Sequence, residues 1–261
     1  MPAISLSSAR ARLLEAGVCG PHRSHSRANA VGNIRRALAG DEDFTFGLSG
    51  LGEHSPEEVL SFMAELTGCS PDLDDADGLN VIEPEKTLEG IIAAARRLHD
   101  EARRGSTILA ATGHPTGLLE HHIRVLDAYR EAGGKMLLLR EEERFPFGGG
   151  RSEVRYTGGV GCLCDGASLK HTHSSKAMEA LLAEGEQPDI VLADHGFAGA
   201  AIERGIPAIA VMDINDPALS VPWKQGKDVV IVPLDDNRAG RLYEPSWLLF
   251  RALIRGEEPA A

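Results

Sequence analysis

Residues 190–216, IVLADHGFAGAAIERGIPAIAVMDIND, decide the fold. An apolar run, Ile190-Val191-Leu192-Ala193, stops at Asp194-His195-Gly196. A helix is predicted from Phe197 to Arg204, and a second apolar run, Ile206 to Met212, stops at Asp213-Ile214-Asn215-Asp216-Pro217. Strands that are apolar at every position belong inside a sheet covered on both faces, and a helical crossover between two of them makes them parallel.

The same unit recurs on either side. Upstream, a helix from Thr87 to Arg104 stops at Gly105, and the strand Thr107 to Ala111 breaks at Thr112-Gly113-His114-Pro115. A long amphipathic helix then runs to Ala132 and ends on Gly133-Gly134, ahead of a strand from Lys135 to Leu139. The charged stretch 141–150 ends in three glycines and reads as a mobile segment or lid. Glu153 to Leu163 is extended with a turn or bulge at Gly158-Gly159, and Ser174 to Ala183 is a helix. Downstream, Val229 to Val232 is a strand before Pro233, and Ser246 to Ile254 is a closing helix.

The first 85 residues read as mainly helical. Helices are predicted over Ser7 to Ala16, anchored by Leu13 and Leu14, over Arg27 to Leu38, and from Ser55-Pro56-Glu57-Glu58 to near Gly68. Phe44 to Leu48 has strand character, whereas Cys19 to Ser26 and Ser70 to Leu79 read as loops. The expected fold class is therefore α/β. One domain over 1–261 would hold a mostly parallel sheet with helices on both faces, Rossmann-like and three-layered, with 1–85 as a helical subregion and 86–261 as the sheet core.

With 261 residues, 43% of them hydrophobic and only 5% aromatic, the core must rest on Ala, Val, Ile and Leu. The net charge of -12 excludes the broad basic surface that nucleic acid or an anionic membrane requires. No apolar run approaches the length of a membrane span, and no leader pattern opens the chain. The four cysteines, Cys19, Cys69, Cys162 and Cys164, match neither a redox pair nor a zinc cluster, so reduced thiols in the cytoplasm are expected. A homo-oligomer stays open. Between Met1 and Arg36, six arginines face one acid, Glu15, an excess that either holds an anion or pairs with acidic neighbours.

In open α/β sheets, ligands bind beyond the carboxyl ends of the strands, and three polar breaks fall there. In the first, Thr112, Gly113, Thr116 and Gly117 form a strand-to-helix turn whose free N–H groups suit a phosphate; a plain turn has no use for His114. In the other two, Asp194-His195 and Asp213 to Asp216 set carboxylates beside an imidazole, either to ligate a divalent cation or to orient a histidine in acid–base catalysis. Lys170-His171-Thr172-His173-Ser174 adds an HxH pair with both rings on one side, as metal sites need, next to a lysine and a capping serine. His22 and Arg23 have the chemistry of an anion clamp folding over the same edge.

The candidate catalytic residues are thus His195, Asp194, His114 and Asp213. The candidate substrate-binding residues are Thr112, Gly113, Thr116, Gly117, Lys170, Ser174, Arg23 and His22. His171, His173 and Asp216 are the candidate ligands of a divalent metal ion. His54, His99, His121 and His122 lie on helical patterns and read as surface or packing residues.

The stretches 112–117, 170–174, 193–200 and 213–217 resemble a small family of actinomycete phosphatases, and the resemblance spans most of the chain. It implies hydrolysis of a small phosphorylated substrate, a phosphate monoester, and carries no catalytic assignment with it. Better-known phosphatases fit poorly: Cys-x5-Arg is absent, Asn215 stands where DxDx[TV] needs a second Asp, and Asp194-His195-Gly196 lacks the arginine of Arg-His-Gly. The reading from another class is a non-catalytic sugar-phosphate or nucleotide sensor. The surplus of histidines and carboxylates argues against it, because binding alone seldom needs them.

Overall fold

The structure, a computed structural model, describes residues 5–183 and 185–258. The chain opens with α1 (Leu6–Ala16), β1 (Gly20–Ser26), α2 (Arg27–Leu38), α3 (Glu42–Thr45), α4 (Pro56–Thr67) and β2 (Leu79–Ile82). Next come α5 (Pro84–Arg104), β3 (Thr107–Thr112), α6 (Pro115–Glu131), β4 (Lys135–Met136), β5 (Phe145–Phe147), β6 (Gly150–Thr157) and β7 (Val160–Cys164). The remainder is α7 (Lys176–Leu181), β8 (Ile190–Asp194), α8 (His195–Glu203), β9 (Ala208–Met212), α9 (Ser220–Lys224), β10 (Val229–Pro233) and α10 (Glu244–Ile254).

One large sheet carries the order β10-β9-β8-β3-β7-β6-β5. Strands β10, β9, β8, β3 and β7 are mutually parallel, and β4 shares β3 with β7 by pairing its first two residues. Every residue of β7, β8 and β9 is buried, as their unbroken apolar sequences require. The helices pack in groups, α5 with α6 and α10, α7 with α8, and α2 with α4.

Local signals explain several boundaries. The Ser55 hydroxyl accepts the Glu58 N–H at 3.2 Å while the Glu58 carboxylate accepts the Ser55 N–H at 2.7 Å, a closed capping box at the start of α4. Helix α5 stops where Gly105 turns left-handed, φ +71°.

Other expectations change. The sheet is mixed, because β6 and β5 run antiparallel to their neighbours. The segment 141–150 is accordingly no free lid: Phe145 to Phe147 pairs with Gly150 to Ser152 as an edge ribbon. Phe44 to Leu48 is helix and turn, since Asp41 caps α3 and Phe46 and Gly47 both take positive φ. The stretch from Cys19 to Ser26 is not a loop, because residues 20–26 form β1 and pair with β2, far along the chain. Leu13 anchors α1, but Leu14 is exposed. No described helix is long and apolar enough to cross a membrane.

Candidate active site

The parallel strands all deliver polar residues to one edge. β3 ends at Gly113-His114, β8 at Asp194-His195, β9 at Asp213 to Asp216 and β10 at Asp235-Asp236. Strand β1 brings His22 and His25 to the same place, and the segment after β7 brings His171 and His173.

Asp194 organises the first half. Its Oδ1 accepts the Gly113 N–H at 2.8 Å and lies 2.7 Å from His195 Nδ1, while its Oδ2 is 3.4 Å from His122 Nε2. That leaves His195 Nε2 facing Asp236 at 3.4 Å and Asp216 at 3.6 Å. His195 holds a left-handed φ of +45°, a conformation that costs a non-glycine residue about 1–3 kcal/mol and clusters at functional sites. Three more rings crowd round it: His173 stacks on His195 with centroids 4.6 Å apart, His171 lies 4.8 Å from His173, and His114 lies 4.5 Å from His171.

Asp213 organises the second half. His22 Nε2 is 2.9 Å from Asp213 Oδ1, and His25 Nε2 is 3.6 Å from Asp213 Oδ2. His22 Nδ1 accepts the His25 N–H at 3.0 Å, so the proton of the neutral ring sits on Nε2 and is donated to Asp213. Asp216 Oδ2 in turn accepts the Asp213 N–H at 3.1 Å.

The five carboxylates of Asp194, Asp213, Asp216, Asp235 and Asp236 are each at most 3% exposed. Among the described residues their ion pairs are all with histidines. Burial, then repulsion from Asp236, Asp216 and Asp235, raises Asp213 well above the usual carboxylate range. Burial also lifts Asp216 to about 7, against the pull of His195, and Asp235 to about 6. Asp194 and Asp236 go the other way. Burial opposes their charge, but His122 and His195 hold Asp194 down, and His114 and His195 hold Asp236 down. Asp216, Asp194 and Asp236 overcome burial at His195, which is pushed up to about 10, and Asp236 with Asp194 raises His114. Burial lowers His22 and His173 to about 4.

Several residues suited to binding an anion have other partners. The Gly113 N–H is taken by Asp194, the His114 N–H by Thr112 Oγ1, and the Gly117 and Leu118 N–H groups close onto the His114 carbonyl. A Cβ on Gly117 would come 2.1 Å from the Asp236 carbonyl, so the start of α6 is packed against the Asp236 loop. Thr116 stays exposed. Gly113 serves a close approach, for a Cβ there would meet the Thr172 carbonyl at 2.3 Å. Lys170 pairs with Asp165 at 2.7 Å, Arg23 is exposed, and Ser174 Oγ accepts the Lys176 N–H at 3.3 Å. His22 sits among carboxylates and not in an anion clamp. His173 donates from Nδ1 to the Asp43 carbonyl at 2.9 Å, while His171 joins His114 and His195.

Four residues of the cluster are absent from the candidates that the sequence offers. Asp235 and Asp236 follow β10 just as Asp194 ends β8 and Asp213 follows β9, so the strand-end rule that found the other two reaches them. His25 belongs to β1, which reads as a loop. His122 reads as packing, yet it faces Asp194; its neighbour His121 is the packing residue, 2.9 Å from Ser246 Oγ and edge-on to Phe250.

Four groups of candidate ligand atoms, each within 4.8 Å of one another, run through the cluster. They are His22, His25 and Asp213; Asp213, Asp235 and Asp236; His195, Asp216 and Asp236; and His114, His171 and His195. A groove of about 460 Å³ opens beside them, lined by Phe44, Phe147, Arg36, His171 and His173.

A family model described as Phosphatase matches residues 5–255. A protein of Streptomyces coelicolor that bears the name phosphatase is 38% identical over 243 residues, which cover 88% of this chain and 89% of that protein.

Proposed function

The chain belongs to this phosphatase family, and from that premise we propose that it hydrolyses phosphate monoesters at the histidine–aspartate cluster on the carboxyl edge of the sheet. The observation that carries the reading is the convergence there of polar strand ends from β3, β8, β9 and β10, next to a groove wide enough for a small leaving group. The substrate is a small phosphorylated molecule in the cytoplasm; at a net charge of -12, nucleic acid is not the expected target.

In the reaction, a water oxygen bonds to phosphorus, the phosphorus–oxygen bond to the leaving group breaks, and inorganic phosphate and an alcohol depart. The leaving oxygen needs a proton. His114 is suited to supply it: the ring is partly exposed at the rim, and Asp236, 3.5 Å away, favours its charged form. Asp194 acts as a positioning residue through Gly113 and His195. The leaving group lies against Phe44, whose ring carries the Arg36 guanidinium 3.8 Å above it, and against Phe147 of the edge ribbon.

The test is release of p-nitrophenol from p-nitrophenyl phosphate. The expected result is turnover that falls by about 10²-fold or more in the Asp194→Asn, His195→Ala double variant. Release no faster than in that variant, from acid to alkaline pH and with magnesium, manganese or zinc added, overturns the reading.

A further inference from the structure

The four ligand groups are not separate. Asp213 belongs to the first and second, Asp236 to the second and third, and His195 to the third and fourth. Together they hold nine residues, more than the four to six ligands that one first-row divalent ion takes.

We infer that this edge of the sheet is a dinuclear centre for first-row divalent cations. One ion sits at Asp213, with His25 and Asp235, the other at His195, with Asp216, and Asp236 lies between them, which leaves His114 at the rim free to act as the acid. The inference deepens the phosphatase reading and rests on it for the use the ions are put to, not for their binding.

Buried polar atoms point to it first. Asp216 Oδ1, Asp235 Oδ2 and Asp236 Oδ2 have no hydrogen-bond partner among the described residues, although each of these aspartates is at least nine-tenths buried. Folded proteins rarely bury such atoms without something for them to hold. The orientation of His195 points the same way. Its Nδ1 is tied to Asp194 and its Nε2 is left to face Asp216 and Asp236, the carboxylate–histidine arrangement by which ligating histidines are aimed and made more basic. His122, behind Asp194, supports that carboxylate from its other oxygen. His22 plays the matching part opposite, a donor that fixes Asp213 and not itself a ligand.

The chemistry of the donors selects the metal. Imidazole nitrogens mixed with carboxylate oxygens suit manganese, iron or zinc, whereas calcium and magnesium favour all-oxygen sites; no cysteine belongs to any of the four groups. Cations also resolve a conflict in the phosphatase reading. A phosphate dianion entering beside Asp213, Asp216, Asp235 and Asp236 meets repulsion on every side, and two divalent ions reverse the sign of that field.

The experiment is a titration of the full chain, stripped with chelator, with manganese, followed by calorimetry and electron paramagnetic resonance. The expected result is two ions per chain with the spectrum of a spin-coupled pair. Asp236→Asn should bind one ion or none while keeping its circular dichroism spectrum; Glu101→Gln, at the far end of the sheet, should still bind two. One ion or none in the folded wild-type chain, or two that show no coupling, overturns the inference. Two coupled ions without phosphate release at any pH overturn the phosphatase reading and leave the centre standing. Phosphate release from metal-free protein that takes up one ion or none in the titration does the reverse.

Discussion

At the amino end of the sheet, the buried Glu101 accepts from Arg97 at 2.9 Å, Arg104 at 3.1 Å and Ser106 at 2.7 Å. Asp189 accepts the Thr107 N–H and hydroxyl at 2.7 and 2.8 Å, and Asp228 takes both ends of the Arg97 guanidinium. At the carboxyl end, Asp213, Asp216, Asp235 and Asp236 face histidines and one another. The pKa directions follow: hydrogen bonds outweigh burial and hold Glu101 and Asp189 below the usual range, whereas Asp213, Asp216 and Asp235 are raised. Burial alone therefore does not mark a functional acid. An acid with its own cation and donors belongs to the scaffold, and one left among other acids is kept there against its own preference.

The widest separation between the two ends should come from Asp213→Asn, which removes a carboxylate raised by burial and by its acidic neighbours, set against Glu101→Gln. The first should lower turnover of p-nitrophenyl phosphate by on the order of 10³-fold or more while the melting temperature holds or rises, because a repulsive charge has gone. The second should leave turnover within about twofold and lower the melting temperature, because a buried hydrogen-bond network of about 1–3 kcal/mol is broken. Steady-state kinetics and thermal melts on both variants decide it; a loss of activity from Glu101→Gln dissolves the contrast.

A smaller effect is expected at the rim. Phe147→Ala should raise KM for an aromatic substrate by about tenfold with kcat nearly unchanged, since the side chain touches the leaving group and not the phosphate. An equal fall in kcat would move Phe147 into the chemistry.

The smallest test separates two neighbours on α6. Burial, then the charge of His122, holds His121 well below its ordinary pKa, so the ring is neutral in the folded protein and protonates first in the unfolded chain. Its contribution is fully present above about pH 6.5 and is lost as pH falls below that value. His121→Gln should flatten the acid limb of stability by up to about 1.4 kcal/mol per pH unit, read from denaturant melts between about pH 5 and pH 7. A limb unchanged by the substitution would mean that other buried histidines account for it.

Much of this was legible in the sequence. The unbroken apolar runs from Ile190 and Ile206 place β8 and β9, and their polar ends place Asp194, His195, Asp213 and Asp216 at one edge. The reversal of β6 against β7 was half legible: Gly158-Gly159 reads as a turn or a bulge, and only a turn sends the chain back antiparallel. Strand β1 was missed because its partner β2 lies beyond α2, α3 and α4, and because Gly20 and Pro21 read as a turn. The sign of His22 was missed for a related reason: a histidine beside arginine in sequence suggests an anion site, but its spatial neighbours are Asp213 and Asp235. Asp235 and Asp236 lie beyond Pro233, the proline that ends the strand pattern, so the apolar run alone does not reach them.

Drawing the site from β1 at one extreme and the turn after β10 at the other has a consequence for timing. On the ribosome, His22 and His25 emerge first, and Asp235 and Asp236 emerge last of the residues in the cluster. Contacts so distant in sequence form late, since a long loop must close before they contribute anything. No partial chain that stops short of β10 holds the whole constellation, and the repulsion among its carboxylates is met only once the rest of the sheet stands to resist it. Completion of the cluster is thereby deferred until folding is nearly finished.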